Sequence, residues 1–191
     1  MGLTNTTTNS SKIVTIVKGK FTIRLPEGVD DPKAVKRKLE KGANAGKEVS
    51  ELQYTGIEGM IERCYVDESE YGANFVTDLV DDENARFKLQ IPLDSKFFGQ
   101  YAKRMPNIDV TKPLFLGLGF DREKGKEFLY AKQGDEKVGF HFTKDDPNGM
   151  PQPVLKTVKG KETWDWEEQE NFLYEVAMDF CSKLEGTDIP F

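Results

Sequence analysis

Leu52-Gln-Tyr54-Thr-Gly56-Ile57-Glu-Gly59-Met-Ile61-Glu62-Arg-Cys64-Tyr65-Val66 is the stretch on which the fold turns. It reads as one long strand, with Ile57 and Ile61 directed to a core. Glycines inside a strand cost stability unless they serve a bulge or bend. Gly56 and Gly59 therefore predict a bent strand, and a slip of phase near Glu62 would turn Tyr65 outward.

Downstream, Asn74–Val80 reads as a second strand, and Asp82-Glu83-Asn84 turns the chain into a third. There Phe87, Leu89, Ile91 and Leu93 alternate with Arg86, Lys88 and Gln90, so one set faces in and the other out. Asp94 then reads as the cap of a helix running to about Met105. Pro113–Phe120, Phe128–Lys132 and Val138–Phe142 read as three more strands, the first two joined by a charged loop over Asp121–Gly125. Three strands, a helix, then further strands, with a bent first strand, is the order of an OB-fold barrel. The expected fold class is therefore mainly β, α+β, an OB barrel with its helix between the third and fourth strands.

Upstream, alternation through Ile13-Val14-Thr15-Ile16-Val17 and Phe21, Ile23, Leu25 predicts added strands. Asp31-Pro32 predicts a short helix stopped at Gly42 and carrying Lys33, Lys36, Arg37, Lys38 and Lys41. Residues 1–11 read as a disordered arm. Residues 144–162, with Asp146-Pro147-Asn148-Gly149, Pro151 and Pro153, read as a linker. A C-terminal helix is expected over 163–184, with Phe172, Leu173, Val176, Ala177, Phe180 and Leu184 on one stripe, before a tail at 185–191.

Composition narrows the function. The 191 residues are 37% hydrophobic with 13 Phe, enough for a sizeable core in one domain with appendages. A single histidine, His141, and two distant cysteines, Cys64 and Cys181, argue against a multi-His metal centre, a zinc staple or a disulfide framework. No apolar run approaches the ~20 residues of a membrane span, and no signal peptide is evident; a soluble cytoplasmic protein without membrane contact is expected. The net charge of −6 is unevenly spread: residues 1–48 hold 10 Lys/Arg against 5 Asp/Glu, residues 162–191 hold 1 against 9. A basic beginning and acidic end suit a protein that handles a polyanion, though ordinary solvation charge explains them too.

Catalytic signatures are broken. Gly119-Phe-Asp-Arg-Glu-Lys-Gly125-Lys126-Glu127 has one residue too many for a phosphate loop and a Glu in place of its Ser or Thr. The acidic run Asp78, Asp81, Asp82, Glu83 offers oxygen ligands for Mg²⁺, as a nuclease would need, or simply a solvated turn. The remaining pattern suits single-stranded nucleic acid, which needs cations for phosphates and rings for bases. Arg86, Lys88, Arg122, Lys124, Lys126 and Lys132 are the candidate cations; Tyr54, Tyr65, Tyr71, Phe75 and Tyr130 are the candidate stacking rings.

The last four residues, Asp188-Ile189-Pro190-Phe191, join two buriable side chains to a proline and a free carboxylate. That combination suits capture by a basic-rimmed apolar pocket. The tip resembles the C-terminus of bacterial single-stranded DNA-binding proteins, and a divergent core ending in it is similar to a bacteriophage protein of that kind. The resemblance implies an OB domain over 12–143 that coats single-stranded DNA in phage replication, recombination or repair. It further implies recruitment of replication and repair proteins through Asp188, Ile189, Pro190 and Phe191, no catalysis, no cofactor, and the host cytoplasm as location; self-association is compatible with it. The rival reading is a non-catalytic interaction or structural phage protein.

Overall fold

The structure is a computed structural model that describes residues 11–40, 42, 44–70, 72–158 and 160–186. Residues 1–10, Tyr71 and the tip 187–191 thus lie outside the described residues. In chain order, strands β1 (Lys12–Val17), β2 (Lys20–Arg24), β3 (Val35–Lys38), β4 (Glu48–Tyr54), β5 (Gly56–Ser69), β6 (Gly72–Val80) and β7 (Arg86–Pro92) precede helix α1 (Lys96–Ala102). Strands β8 (Leu114–Asp121), β9 (Lys126–Gln133), β10 (Glu136–Val138), β11 (Val154–Val158) and β12 (Lys161–Asp165) come next, and helix α2 (Glu167–Glu185) closes the described chain.

Ten strands form one mixed sheet in the order β10-β9-β8-β5-β6-β7-β1-β2-β4-β3, and the sheet is open, not a closed barrel. The expected OB barrel is corrected here for a structural reason. β1 pairs in parallel with the free edge of β7, while β10 takes the outer edge of β9, so the two ends never meet. The long strand is two: β4 joins β2 and β3, and after Thr55 the chain continues as β5 between β6 and β8. The Thr55 carbonyl at this break accepts a hydrogen bond from the Leu118 amide at 3.0 Å. The phase slip does occur: the β5–β6 register shifts between Ile61 and Arg63, leaving Ile61 and Cys64 both buried.

The basic segment after Asp31 is an extended strand, not a helix. Asp31 does accept the Lys33 amide at 2.8 Å, as an N-cap would, but the turn does not propagate. Val35 favours extension, and Arg37 reaches across to Glu51 with two hydrogen bonds of 2.7 and 3.0 Å, which β3–β4 pairing positions. The cap of α1 is Ser95 rather than Asp94: its Oγ accepts the Phe98 amide at 3.2 Å. Pro106 limits the continuation beyond α1 to a single 3-10 turn, Met105–Asn107, and so shortens the expected helix. The strand expected to Phe142 stops at Val138; beyond it the His141 amide donates to the Lys103 carbonyl at 2.7 Å, and the Phe142 ring meets Phe172 edge-on. The stretch read as a linker contains β11, and β12 takes up the residues expected to begin the C-terminal helix.

Both helices cover one face of the sheet. Val14, Phe21, Ile61, Cys64, Phe75, Leu79, Leu89 and Ile91 are buried against Phe98 and Tyr101 of α1 and Leu173, Ala177, Phe180, Cys181 and Leu184 of α2. Burying side chains of this size is worth ~1.5–3 kcal/mol each and supplies the main driving force. Burial pushes the Cys64 thiol well up, and a hydrogen bond with Cys181 brings the two cysteines, distant in sequence, together. Arg104, buried under the Phe140 ring at 3.8 Å, is brought down to about 10 by desolvation, while its Nη1 donates to the Gln100 carbonyl at the end of α1. The opposite face of the sheet carries no helix.

Candidate nucleic-acid interface

Strand alternation decides which side chains reach the uncovered face. Across β8 and β9, Leu114, Leu116, Leu118, Leu129 and Ala131 point to the core. The alternate positions, Phe115, Gly117 and Gly119 on β8 and Phe128, Tyr130 and Lys132 on β9, must point away. Register then places Tyr130 opposite Gly117 and Phe128 opposite Gly119, while Gly117 in turn faces Gly56 on β5.

The glycines are there for the rings. A methyl group at Gly117 would run into the Tyr130 ring, one at Gly119 into Phe128, and one at Gly56 into Phe115. Each ring therefore lies down on bare backbone. Phe128 and Tyr130 have centroids 6.2 Å apart, and Tyr130 and Phe115 6.0 Å apart, so the three form a row. Phe128 remains 38% exposed, and Phe115 and Tyr130 are half-buried. Gly56, read from the sequence as a bend, is a seat for an aromatic ring.

Lysines frame this row. Lys132 lies opposite Phe115 on one side and opposite Lys137 of β10 on the other. Like charges directly across a strand pair repel, at a cost of roughly 0.2–1 kcal/mol. No carboxylate lies within ion-pair distance of Lys132, Lys137, Lys126 or Arg122 among the described residues, although the register sets Asp121 opposite Lys126 and Glu58 opposite Phe115. In the β8–β9 turn, the Asp121 carboxylate accepts the Glu123 and Lys124 amides at 3.0 and 3.1 Å, which holds Arg122 and Lys124 at the exposed tip. Lys124 sits 3.8 Å from that same carboxylate.

The other expected residues divide. Tyr65 does reach the uncovered face, but the Arg63 guanidinium lies 4.6 Å over its ring and Lys88 lies 5.7 Å away. A hydrogen bond to the Tyr65 hydroxyl raises Lys88 above the ordinary lysine range. Arg63 binds Asp78 at 2.8 Å and Arg86 binds Glu62 at 2.8 Å, so these two guanidiniums are neutralised, whereas Lys88 has no carboxylate within ion-pair distance among the described residues. Phe75 is a correction: it is fully buried, 5.7 Å from Phe98 and 6.0 Å from Tyr101 between ring centroids, and no base can reach it. Its outward neighbours on β6 are Asn74 and Val76, because the inward phase runs through Phe75, Thr77 and Leu79. Tyr54 is exposed, but its register partner is the buried Phe21, which places it on the helix-covered side of the sheet. Tyr71 and Asp188, Ile189, Pro190 and Phe191 lie outside the described residues.

The acidic run does not converge on a point. Asp78 is held by Arg63, and Asp81 accepts the Glu83 and Ala85 amides at 3.0 and 2.8 Å to build the β6–β7 turn. Among the described residues, no three His, Cys, Asp or Glu side chains could hold a metal ion together, and no helix is long and apolar enough to cross a membrane.

The reading missed Phe115, Phe128 and Lys137. Phe115-Leu-Gly117-Leu-Gly119 and Phe128-Leu-Tyr130-Ala-Lys132 carried the signal, since inward Leu and Ala assign the aromatic and glycine positions to the other face. What links them into one row is the cross-strand register, which pairs ring with glycine. Compared with protein-family models, with curated proteins and with solved structures, the chain finds no match in any of the three.

Proposed function

We propose that the uncovered face of β8, β9 and β10 binds single-stranded nucleic acid, single-stranded DNA first, without sequence preference. The observation that carries this reading is the row Phe128–Tyr130–Phe115, seated on glycines and left open to solvent beside lysines without carboxylate partners. An aromatic face stacks on any base, at ~1–3 kcal/mol per base, and a cationic border holds phosphates. Lys126, Lys132, Lys137 and Arg122 supply that border; no catalysis and no cofactor enter the reading. Asp188–Phe191 is proposed, on the sequence alone, as a separate contact for partner proteins in DNA replication, recombination or repair.

The test is a titration of fluorescent oligothymidine with the protein at low and moderate salt, beside a duplex competitor. Four phosphate contacts predict a log–log salt slope of about −3, from roughly −0.7 per contact on single strands. Tight binding, poor competition by duplex and that slope support the reading. Absence of binding at low salt overturns it and leaves a protein-binding module as the better account.

A further inference from the structure

Outside the main sheet, β11 and β12 form a two-stranded hairpin that pairs with no other strand among the described residues. It is poorly covered: Val154 is 52% exposed, Leu155 46% and Trp164 58%. Leu155 and Trp164 are direct cross-strand partners on one face. A lone two-stranded hairpin is marginal in water, and a third or fourth strand with an apolar face is what usually stabilises one. An open edge carrying exposed Leu and Trp is also a ready template for another strand.

We propose that β12 is a dimerisation edge, and that two copies of this chain pair β12 against β12 in antiparallel register centred on Thr163, as a sheet of order β11-β12-β12-β11. The charge pattern of Lys161-Glu162-Thr163-Trp164-Asp165 selects both the edge and the register. Centred on Thr163, each Lys161 lies opposite the Asp165 of the second copy, and both such pairs form at once. Centring on Glu162 would set it against itself, and a register between Thr163 and Trp164 would oppose Glu162 to Asp165. Centring on Trp164 pairs no opposite charges, and centring between Lys161 and Glu162 pairs those two but leaves only two residues of β12 in the ladder. The β11 edge, Val154-Leu-Lys156-Thr-Val158, carries no carboxylate, so no register of it against itself pairs opposite charges, and one centred on its middle residue places Lys156 against Lys156.

The hairpin is prepared for this contact. Asp165 already binds Lys156 of its own β11, and its carboxylate accepts the Glu167 amide at 3.0 Å, so it is held facing the side that Lys161 shares. Lys161 is exposed and has no ion-pair partner of its own among the described residues. On the other side of the sheet, the two Trp164 rings fall at diagonal positions, about 7–8 Å apart at the backbone, within reach of aromatic side chains. Two-fold symmetry of this kind is isologous and closes at the dimer. This inference stands apart from the nucleic-acid reading.

Sedimentation velocity across a range of concentrations tests it, with a charge exchange as the discriminating step. Wild-type protein is expected at twice 21.7 kDa. Lys161→Asp opposes Asp to Asp, and Asp165→Lys opposes Lys to Lys; each alone should sediment as a monomer. Mixing the two restores both attractive pairs and should restore the dimer. Wild-type protein that remains monomeric throughout, or a Lys161→Asp variant as dimeric as wild type, overturns the proposal. Asp165 also serves its own hairpin, so a second readout avoids it. Thr163→Cys places two thiols across the symmetry axis, and mild oxidation with diamide should yield a disulfide-linked dimer. Lys161→Cys should not, since its two copies would lie about 13 Å apart along the strands. Equal cross-linking by both, or by neither, also overturns the register.

Discussion

The uncovered face of the main sheet has two ends that are built alike and finished differently. At the β6–β7 end, Arg63 on β5 and Arg86 on β7 each have a carboxylate, Asp78 and Glu62, at 2.8 Å, and of the cations beside Tyr65, Lys88 alone has none within ion-pair distance among the described residues. Tyr65 itself is roofed by Arg63. At the β8–β10 end, the rings rest on glycine with their outer side open, and Lys132 faces Lys137 with no carboxylate between them. Exposed ion pairs contribute little to stability, about 0–1 kcal/mol. The contrast is therefore chiefly one of availability. A polyanion gains at the second end what it would first have to displace at the first. Counting basic residues along the sequence cannot separate these two cases; partner assignment can.

The comparison breaks most readily at the rings. The double variant Phe128→Ala/Tyr130→Ala removes two stacking surfaces at ~1–3 kcal/mol each, so affinity for oligothymidine should fall by at least ~30-fold. Both side chains sit on the face away from the helices, so the circular dichroism spectrum should be kept. An unchanged affinity in folded protein would show that the open end is not the binding surface. A smaller and more informative effect is expected at Lys137. Lys137→Glu sets a carboxylate opposite Lys132 and replaces repulsion by attraction, so thermal stability should rise by an amount equivalent to ~0.2–1 kcal/mol. The same change should weaken DNA binding about tenfold, and with one phosphate fewer neutralised the log–log salt slope should become shallower by about 0.7. A variant that is more stable and binds less well would locate a like-charge pair kept for a ligand. Less stability together with weaker binding would mean that Lys137 only supports the strand.

Individual strands of the central sheet were legible from alternation alone, though the barrel built from them was not correct. Inward Phe87, Leu89 and Ile91 fixed the outward side chains of β7, and the phase slip near Glu62, set as the condition for Tyr65 to face outward, is present in the β5–β6 register. Legibility ended where long-range pairing decides. Arg37 extends rather than coils because Glu51, fourteen residues away, holds its guanidinium. The sheet stays open because β1 occupies the edge of β7 and β10 that of β9, and strand order is not encoded in any local period. The same limit governed the site. Tyr130 and Lys132 were visible on a strand and Lys126 as a cation of the loop before it, whereas their link to Phe115, Phe128 and Lys137 depends on register across three strands. Phe75 failed for a related reason. With Phe75, Val76 and Thr77 all fully buried, β6 shows no clean alternation, and only packing on Phe98 and Tyr101 identifies which side is core.

The smallest expected effect sharpens the comparison from the other side. Arg63→Gln and Arg86→Gln, at the neutralised end, each remove a cation that already has a carboxylate partner. If availability rather than the number of cations sets binding, either variant should change affinity for oligothymidine by less than about twofold, with the salt slope unchanged, since every phosphate keeps its cation. The stability cost should also stay within the range of an exposed pair, about 0–1 kcal/mol. Arg63→Gln carries the sharper risk, because it also lifts the guanidinium from Tyr65 and bares that ring. Tighter binding in this variant alone would show that Tyr65 is a stacking surface held closed by Arg63. A drop in affinity matching that of Lys137→Glu would instead mean that nucleic acid displaces these ion pairs and that the whole face, not one end, is the interface.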